Sequence, residues 1–312
     1  MIGARSHVSS HPAKVIAMDK SNSDKTPALT ASEEREVHKS KPPRAAVVHE
    51  IIRLQGDQEL QRTVAALWWS ALAAGLSMGL SMMGMGLLRA RLEGIESAVA
   101  ISSIGYSAGF LAVILARQQL FTENTLTAVL PFMNKPTLGN LSRLGKLWSV
   151  VLAGNLAGTF LVAYGMLQLP IFDTQTDEAF LEIGRKLMEN DSTQMFARGV
   201  ISGWMIATMV WMIPAQESAK FWIIVMVTTL MGLGDFTHIV VGSVEAAYLV
   251  FAGELAWMEF WLVFAAPTLA GNIVGGSFIF ALISHAQIRS DVELQQAERE
   301  RRRELVAKPE DD

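Results

Sequence analysis

The chain has 312 residues, a formal net charge of −4 and no cysteine, which excludes a disulfide framework and a thiolate metal site. It is 51% hydrophobic with a mean hydropathy of +0.30, values that a soluble or a membrane protein can reach. The arrangement decides: charge concentrates in residues 1–62 and 286–312, and long apolar runs fill the stretch between.

Residues 1–43 are polar, with His, Lys, Ser and Pro scattered through them, and read as a disordered tail rather than a signal peptide. Over 44–62, Val47, Val48, Ile51, Ile52 and Leu54 group at helical spacing between charged residues. That pattern is an amphipathic helix, lying on a membrane surface or packed on protein. Six runs then qualify as membrane spans within residues 63–285. They cover about 63–88; 98–116, broken at 117–124 and resuming at 125–133; 144–169; 196–213; 219–252, broken at 235–238; and 260–285. Six such runs exceed what one soluble core holds. Residues 286–312 are rich in Glu and Arg and read as a solvated tail.

Lys and Arg near the spans set orientation. Arg44, Arg53, Arg62, Lys135, Arg143, Lys146 and Arg289 place both termini and the 134–146 loop in the cytoplasm. Arg89 and Arg91 run against that trend. Three spans per half is an odd number, so the second half enters from the opposite face. The expected fold is an all-α integral membrane protein with inverted three-span repeats and two broken helices.

Leu-Ala-Gly-Asn occurs at 152–155 and again at 269–272, 117 residues on, and Phe-Thr occurs at 121 and at 236, 115 residues on. Each Phe-Thr lies in a polar interruption of an apolar run. Such breaks survive only where protein or water satisfies the released backbone groups. Arg117 and Glu123 in the first break, and Asp235, His238 and Glu245 in and after the second, must pair or face water. Arg117 is expected to pair with Glu123 or Asp235, and the sequence leaves open which. His238 is the only histidine well inside an apolar segment and is read as pore-lining, beside the plainer reading of a satisfied structural residue. Asn155 and Asn272 are read as ties to the broken loops, with direct solute contact the lesser role. The Gly-rich stretches serve close helix packing, and the tryptophans near span ends serve as interfacial anchors.

These residues resemble the formate/nitrite transporter family over about 45–290, and within it the poorly defined YfdC-like branch. The resemblance rests on Leu120-Phe121-Thr122, on His238 at the position of the family's pore histidine, and on Gly271-Asn272-Ile-Val-Gly275-Gly276. Ser202-Gly203-Trp204 matches a second signature more weakly. The resemblance implies an aquaporin-like six-span bundle in a homopentamer in a bacterial inner membrane. Each protomer would carry one pore for small monovalent anions or their conjugate acids. It assigns Leu120, Phe121 and Thr122 to a slit loop beside His238. Tyr106, Phe110 and Met231 would form constrictions, and Lys186 with Arg185 a vestibule. The departures are Arg117, Gln119, Glu123, Gly203 and Thr237, where the family carries other residues. A carboxylate at 123 would repel an anion unless Arg117 neutralises it.

The expected activity is passive or proton-coupled passage of a formate-, nitrite- or acetate-like solute. The alternatives are a neutral-solute or water pore on the same scaffold, and an occluded membrane protein that regulates a partner through its tail. No nucleophile–base pair, metal cluster or phosphate loop points to an enzyme, and no cofactor, metal or nucleic-acid partner is expected.

Overall fold

The computed structural model describes Thr30 and residues 43–290. The expected tails before 43 and beyond 290 otherwise lie outside the described residues. The chain divides into two units, 1–42 and 43–312, and the elements below belong to the second.

Helix α1 (Ala45–Leu60) is amphipathic, and its Val48, His49, Ile52 and Gly56 are buried on protein. The contact is close, since a Cβ at Gly56 would lie 1.9 Å from the Thr127 carbonyl oxygen. Thr63 then caps α2 (Val64–Arg91), its Oγ1 accepting from Ala66 N at 3.3 Å. Helix α3 (Ala98–Leu115) has a tighter turn at Ser103–Tyr106. There the Ser81 hydroxyl donates to the Tyr106 carbonyl at 2.6 Å and accepts from Gly109 N at 3.1 Å.

After a break, the chain resumes as α4 (Phe121–Thr127) and α5 (Val129–Asn134). Helix α6 (Leu138–Gln168) is capped by Thr137 and begins earlier than the apolar run suggested. Residues 170–195, which separate the third and fourth apolar runs, contain α7 (Thr174–Met188). It is capped by Asp173 and buries Phe180 and Ile183 on its apolar side.

The second half repeats the first. A capping box of Asp191 and Gln194 opens α8 (Ser192–Met212). Then come α9 (Lys220–Leu233), a break, and α10 (Ile239–Ala252), which ends at Gly253 with φ +80°. Helix α11 (Trp257–Ser290) contains π-helical turns at Phe260–Ala265 and Val274–Ala281 and runs into the expected tail.

Among the described residues, five helices are long and apolar enough to cross a membrane: α2, α3, α6, the α8 run to Ala215, and α11. The fifth expected span is not one of them. Its pieces α9 and α10 have 14 residues each, short of the ~20 a crossing needs alone. Helix α2 packs on α6, and α8 on α11. Glycines permit this, for a Cβ at Gly158 would stand 2.4 Å from the Leu72 carbonyl oxygen and one at Gly275 2.0 Å from that of Val200. Outward faces stay apolar and exposed, as at Leu80, Leu161, Met226 and Phe278.

Candidate functional site

The two breaks are built alike. Among the described residues, Arg117 and Asp235 are the non-glycine residues with positive φ, at 52° and 51°. They lie 118 residues apart. Gln118 N donates to the Val113 carbonyl at 2.9 Å, and Phe236 N to that of Met231 at 3.1 Å, again 118 apart. Each is a left-handed C-terminal cap that reverses the chain.

The chain then re-enters as a half-helix whose first N–H groups have no intrahelical partner. One asparagine satisfies each re-entry. Asn155 Oδ1 accepts from Phe121 N at 2.9 Å, and its Nδ2 donates to the carbonyls of Ala71 and Gln119, both at 2.8 Å. Asn272 Oδ1 accepts from Ile239 N at 2.9 Å, and its Nδ2 donates to Gly199 O, Ser202 Oγ and Thr237 O. Both amides are fully buried, and neither borders the two cavities described below.

This register corrects the alignment of the halves. The Phe-Thr echo, 115 apart, is not the structural equivalence. The backbone pairs Leu120 with His238 and Thr122 with Val240. The two chemical groups meet all the same, since Thr122 Oγ1 lies 2.7 Å from His238 Nε2 where the half-helices come together. His238 is the N-cap of α10, and its Nδ1 accepts from Val241 N at 3.3 Å. A backbone N–H can only donate, so Nδ1 is unprotonated and Nε2 carries the proton. Nε2–H therefore donates to Thr122 Oγ1, leaving the threonine hydroxyl free to donate onward. Phe110 packs edge-on against the imidazole at 5.1 Å between ring centroids, and Tyr106 stacks on Phe110 at 5.5 Å.

A cavity lies on either side of this contact. On the α7 face, about 60 Å³ is bounded by His238, Tyr106, Met231, Arg89, Lys186, Asp235 and Glu245. On the α1 face, about 450 Å³ is bounded by Leu120, Arg117, Glu123, Glu59, Glu217 and Lys220. Thr122 is fully buried between them.

The charges sort by partner. Glu59 pairs with Arg62 at 3.0 Å and accepts from Gln119 Nε2 at 2.8 Å, joining α1 to the first break. Glu217 pairs with Lys220 at 3.7 Å. Arg117 and Glu123 face the same cavity with no ion pair or hydrogen bond to their side chains among the described residues. The expected Arg117 pairing with Glu123 or Asp235 is absent, and Asp235 borders the opposite cavity because the inverted repeat places the two breaks on opposite faces.

Other expected residues fall elsewhere. Phe121 turns away from both cavities and packs on Trp148 at 5.7 Å. Trp148 is more than an anchor, as its Nε1 donates to the Asn124 carbonyl at 3.1 Å. Arg185 bridges Glu178 and Glu254 at the surface, and its guanidinium holds the Glu254 carboxyl below the ordinary range. Lys186 borders the α7-face cavity but is paired with Glu189 at 2.9 Å. Two further charged groups, Glu245 and Arg89, border this cavity and belong to neither break. Glu245 stands seven residues, two helical turns, beyond His238, and Arg89 broke the orientation trend.

Residues 46–286 match the family described as Formate/nitrite transporter. The chain belongs to that family. The inner membrane protein YfdC of Escherichia coli (strain K12) is 55% identical over 251 residues, covering 80% of this chain and 81% of that protein. The formate channel BtFdhC of Bacillus thuringiensis is 24% identical over 246 residues, covering 74% and 90%. A solved pentameric formate channel with formate bound superposes with a TM-score of 0.63 at 19% identity, over 72% of this chain and 97% of that one. A solved FNT family ion channel gives 0.62 at 20% identity, over 76% and 94%. At those identities the superpositions establish the fold, an all-helical formate/nitrite transporter bundle.

Proposed function

We propose that the protein passes small monovalent anions, or their conjugate acids, of formate or nitrite size. Passage runs through one pore per protomer of a homopentamer in a bacterial inner membrane, with both termini cytoplasmic. The observation that carries this reading is the Thr122–His238 contact, set between two cavities at the meeting point of two half-helices. The α10 N-terminus carries positive dipole potential and suits an anion there. The free Thr122 hydroxyl proton is a donor for a solute oxygen. Phe110, Tyr106 and Met231 give the α7-face approach an apolar character, and a bare charge in such a constriction costs several kcal/mol. Proton uptake before the constriction and release after it removes that cost. The 60 Å³ cavity is about two water volumes, a size for solutes of a few heavy atoms.

A second reading has its own support. Glu123 faces the same vestibule as Arg117, and a vestibule of mixed charge suits a neutral solute as well as an anion. The test is flux of formate, nitrite and acetate into proteoliposomes from mildly acidic to mildly alkaline pH, which varies the supply of protons to the anion. Flux above empty vesicles supports the anion reading. Osmotic swelling with uncharged solutes and no anion flux supports the neutral pore.

A further inference from the structure

Glu245 has no place in the contacts that hold the breaks or join Thr122 to His238. The residue is 7% exposed, and among the described residues its carboxyl makes no hydrogen bond or ion pair. It borders the α7-face cavity two helical turns beyond His238. A carboxylate withdrawn from water without a donor is costly, so the group calls for a proton or a ligand. Arg89 at the end of α2 borders the same cavity with its Nε buried and unpartnered. An orphaned donor and an orphaned acid thus share a space about two waters in size. The other ionisable groups bordering it are Tyr106 from α3, Lys186 from α7, Asp235 from the break and His238 from α10. Lys186 is taken by Glu189 and His238 by Thr122.

We infer that Arg89 and Glu245 form a binding and proton-transfer site for a small oxyanion on the α7 face. This rests on the anion reading above and names the group that supplies its proton. Arg89 holds one oxygen of the anion through its N–H groups. The Glu245 carboxyl gives its proton to the other oxygen: its O–H bond breaks, the O–H bond of the conjugate acid forms, and Glu245 is left as a carboxylate. The neutral acid moves toward Tyr106, Phe110 and His238. The carboxylate regains its proton from hydronium in the aqueous α7-face mouth. In the reverse direction Glu245 takes the proton as the acid leaves.

The test measures formate in two ways, on the purified full-length protein, with the wild type, Glu245→Gln, Glu245→Asp and Arg89→Gln. Calorimetry in detergent, repeated in buffers of different ionisation enthalpy, counts protons taken up on formate binding. Proteoliposome flux gives the pH profile, and an unchanged thermal unfolding profile certifies each variant as folded. Wild type should take up a proton with formate. Glu245→Gln should abolish that uptake and lower flux roughly 100-fold. Glu245→Asp should restore part of both, and Arg89→Gln should weaken binding. A Glu245→Gln protein with wild-type proton uptake and pH profile overturns the inference and leaves the anion reading standing. Binding with proton uptake but no wild-type flux supports the site and refutes conduction. A wild type that neither binds nor passes formate overturns both.

Discussion

Replacing Asn155 with Leu tests what holds the broken helices. The substitution roughly keeps side-chain volume and removes the amide. Among the described residues, Phe121 N and the Gln119 carbonyl then lose their one hydrogen-bond partner, whereas the Ala71 carbonyl keeps its place in α2. A buried backbone group left unsatisfied costs about 1–3 kcal/mol, so two of them cost about 2–6 kcal/mol. The same change at Asn272 should be milder. Ile239 N is orphaned, but the Thr237 carbonyl still accepts from Ser202 Oγ at 2.5 Å, so the cost is about 1–3 kcal/mol. The assay is equilibrium unfolding of wild type and both variants in mixed detergent, followed by circular dichroism. Asn155→Leu should be the less stable of the two. Equal losses, or losses within about 0.5 kcal/mol of wild type, the range of ordinary surface changes, would refute the claim that these amides satisfy the breaks unequally.

Burial lowers the His49 imidazole below its ordinary value of 6.5, with the nearby His285 adding to the effect. The undocked state therefore binds a proton more readily, so docking of α1 is at full strength above pH 6.5 and weakens as pH falls below it. Trp211, 6.2 Å from His49 between ring centroids, reports this by its fluorescence, and His49→Gln should flatten the pH response. Gly275→Ala places a Cβ 2.0 Å from the Val200 carbonyl oxygen. Backbone must shift, and thermal unfolding should show a loss of about 1–3 kcal/mol. Glu123→Gln removes a carboxylate from the α1-face vestibule and should raise anion flux by roughly two- to fivefold, for an electrostatic effect of ~0.5–1 kcal/mol that fades with added salt. A fall in flux would give Glu123 a direct part in transport.

The scaffold was legible because bilayer physics writes it plainly. Apolar runs of spanning length, polar interruptions and the paired asparagines each carry a local signature. Register was less legible. The Phe-Thr echo pointed to 115, yet the positive-φ residues Arg117 and Asp235 fix the breaks 118 apart, and backbone conformation at Arg or Asp has no sequence mark as glycine has. Helix α7 leaves a weak mark, since its apolar side is short and set among Asp177, Glu178 and Glu182, and only the Asp173 cap and the Phe180–Ile183 spacing announce it. The site divides in the same way. Thr122 and His238 come from segments 116 residues apart and touch, which a repeat suggests but spacing alone does not fix. Phe121 faces Trp148 because helix rotation decides which side of Leu120-Phe121-Thr122 meets the pore. Glu245 and Arg89 announced themselves only as misplaced charges, and their shared cavity appears once α2 and α10 are packed together.

On the proposed route a small anion or its acid passes the Thr122–His238 contact. The most direct measurement is formate influx into proteoliposomes for wild type and Thr122→Val, beside empty vesicles. Flux is expected in wild type, with near-complete loss in Thr122→Val, which keeps the shape and removes the hydroxyl that donates to the solute. Formate flux of wild-type size in the valine variant would contradict it.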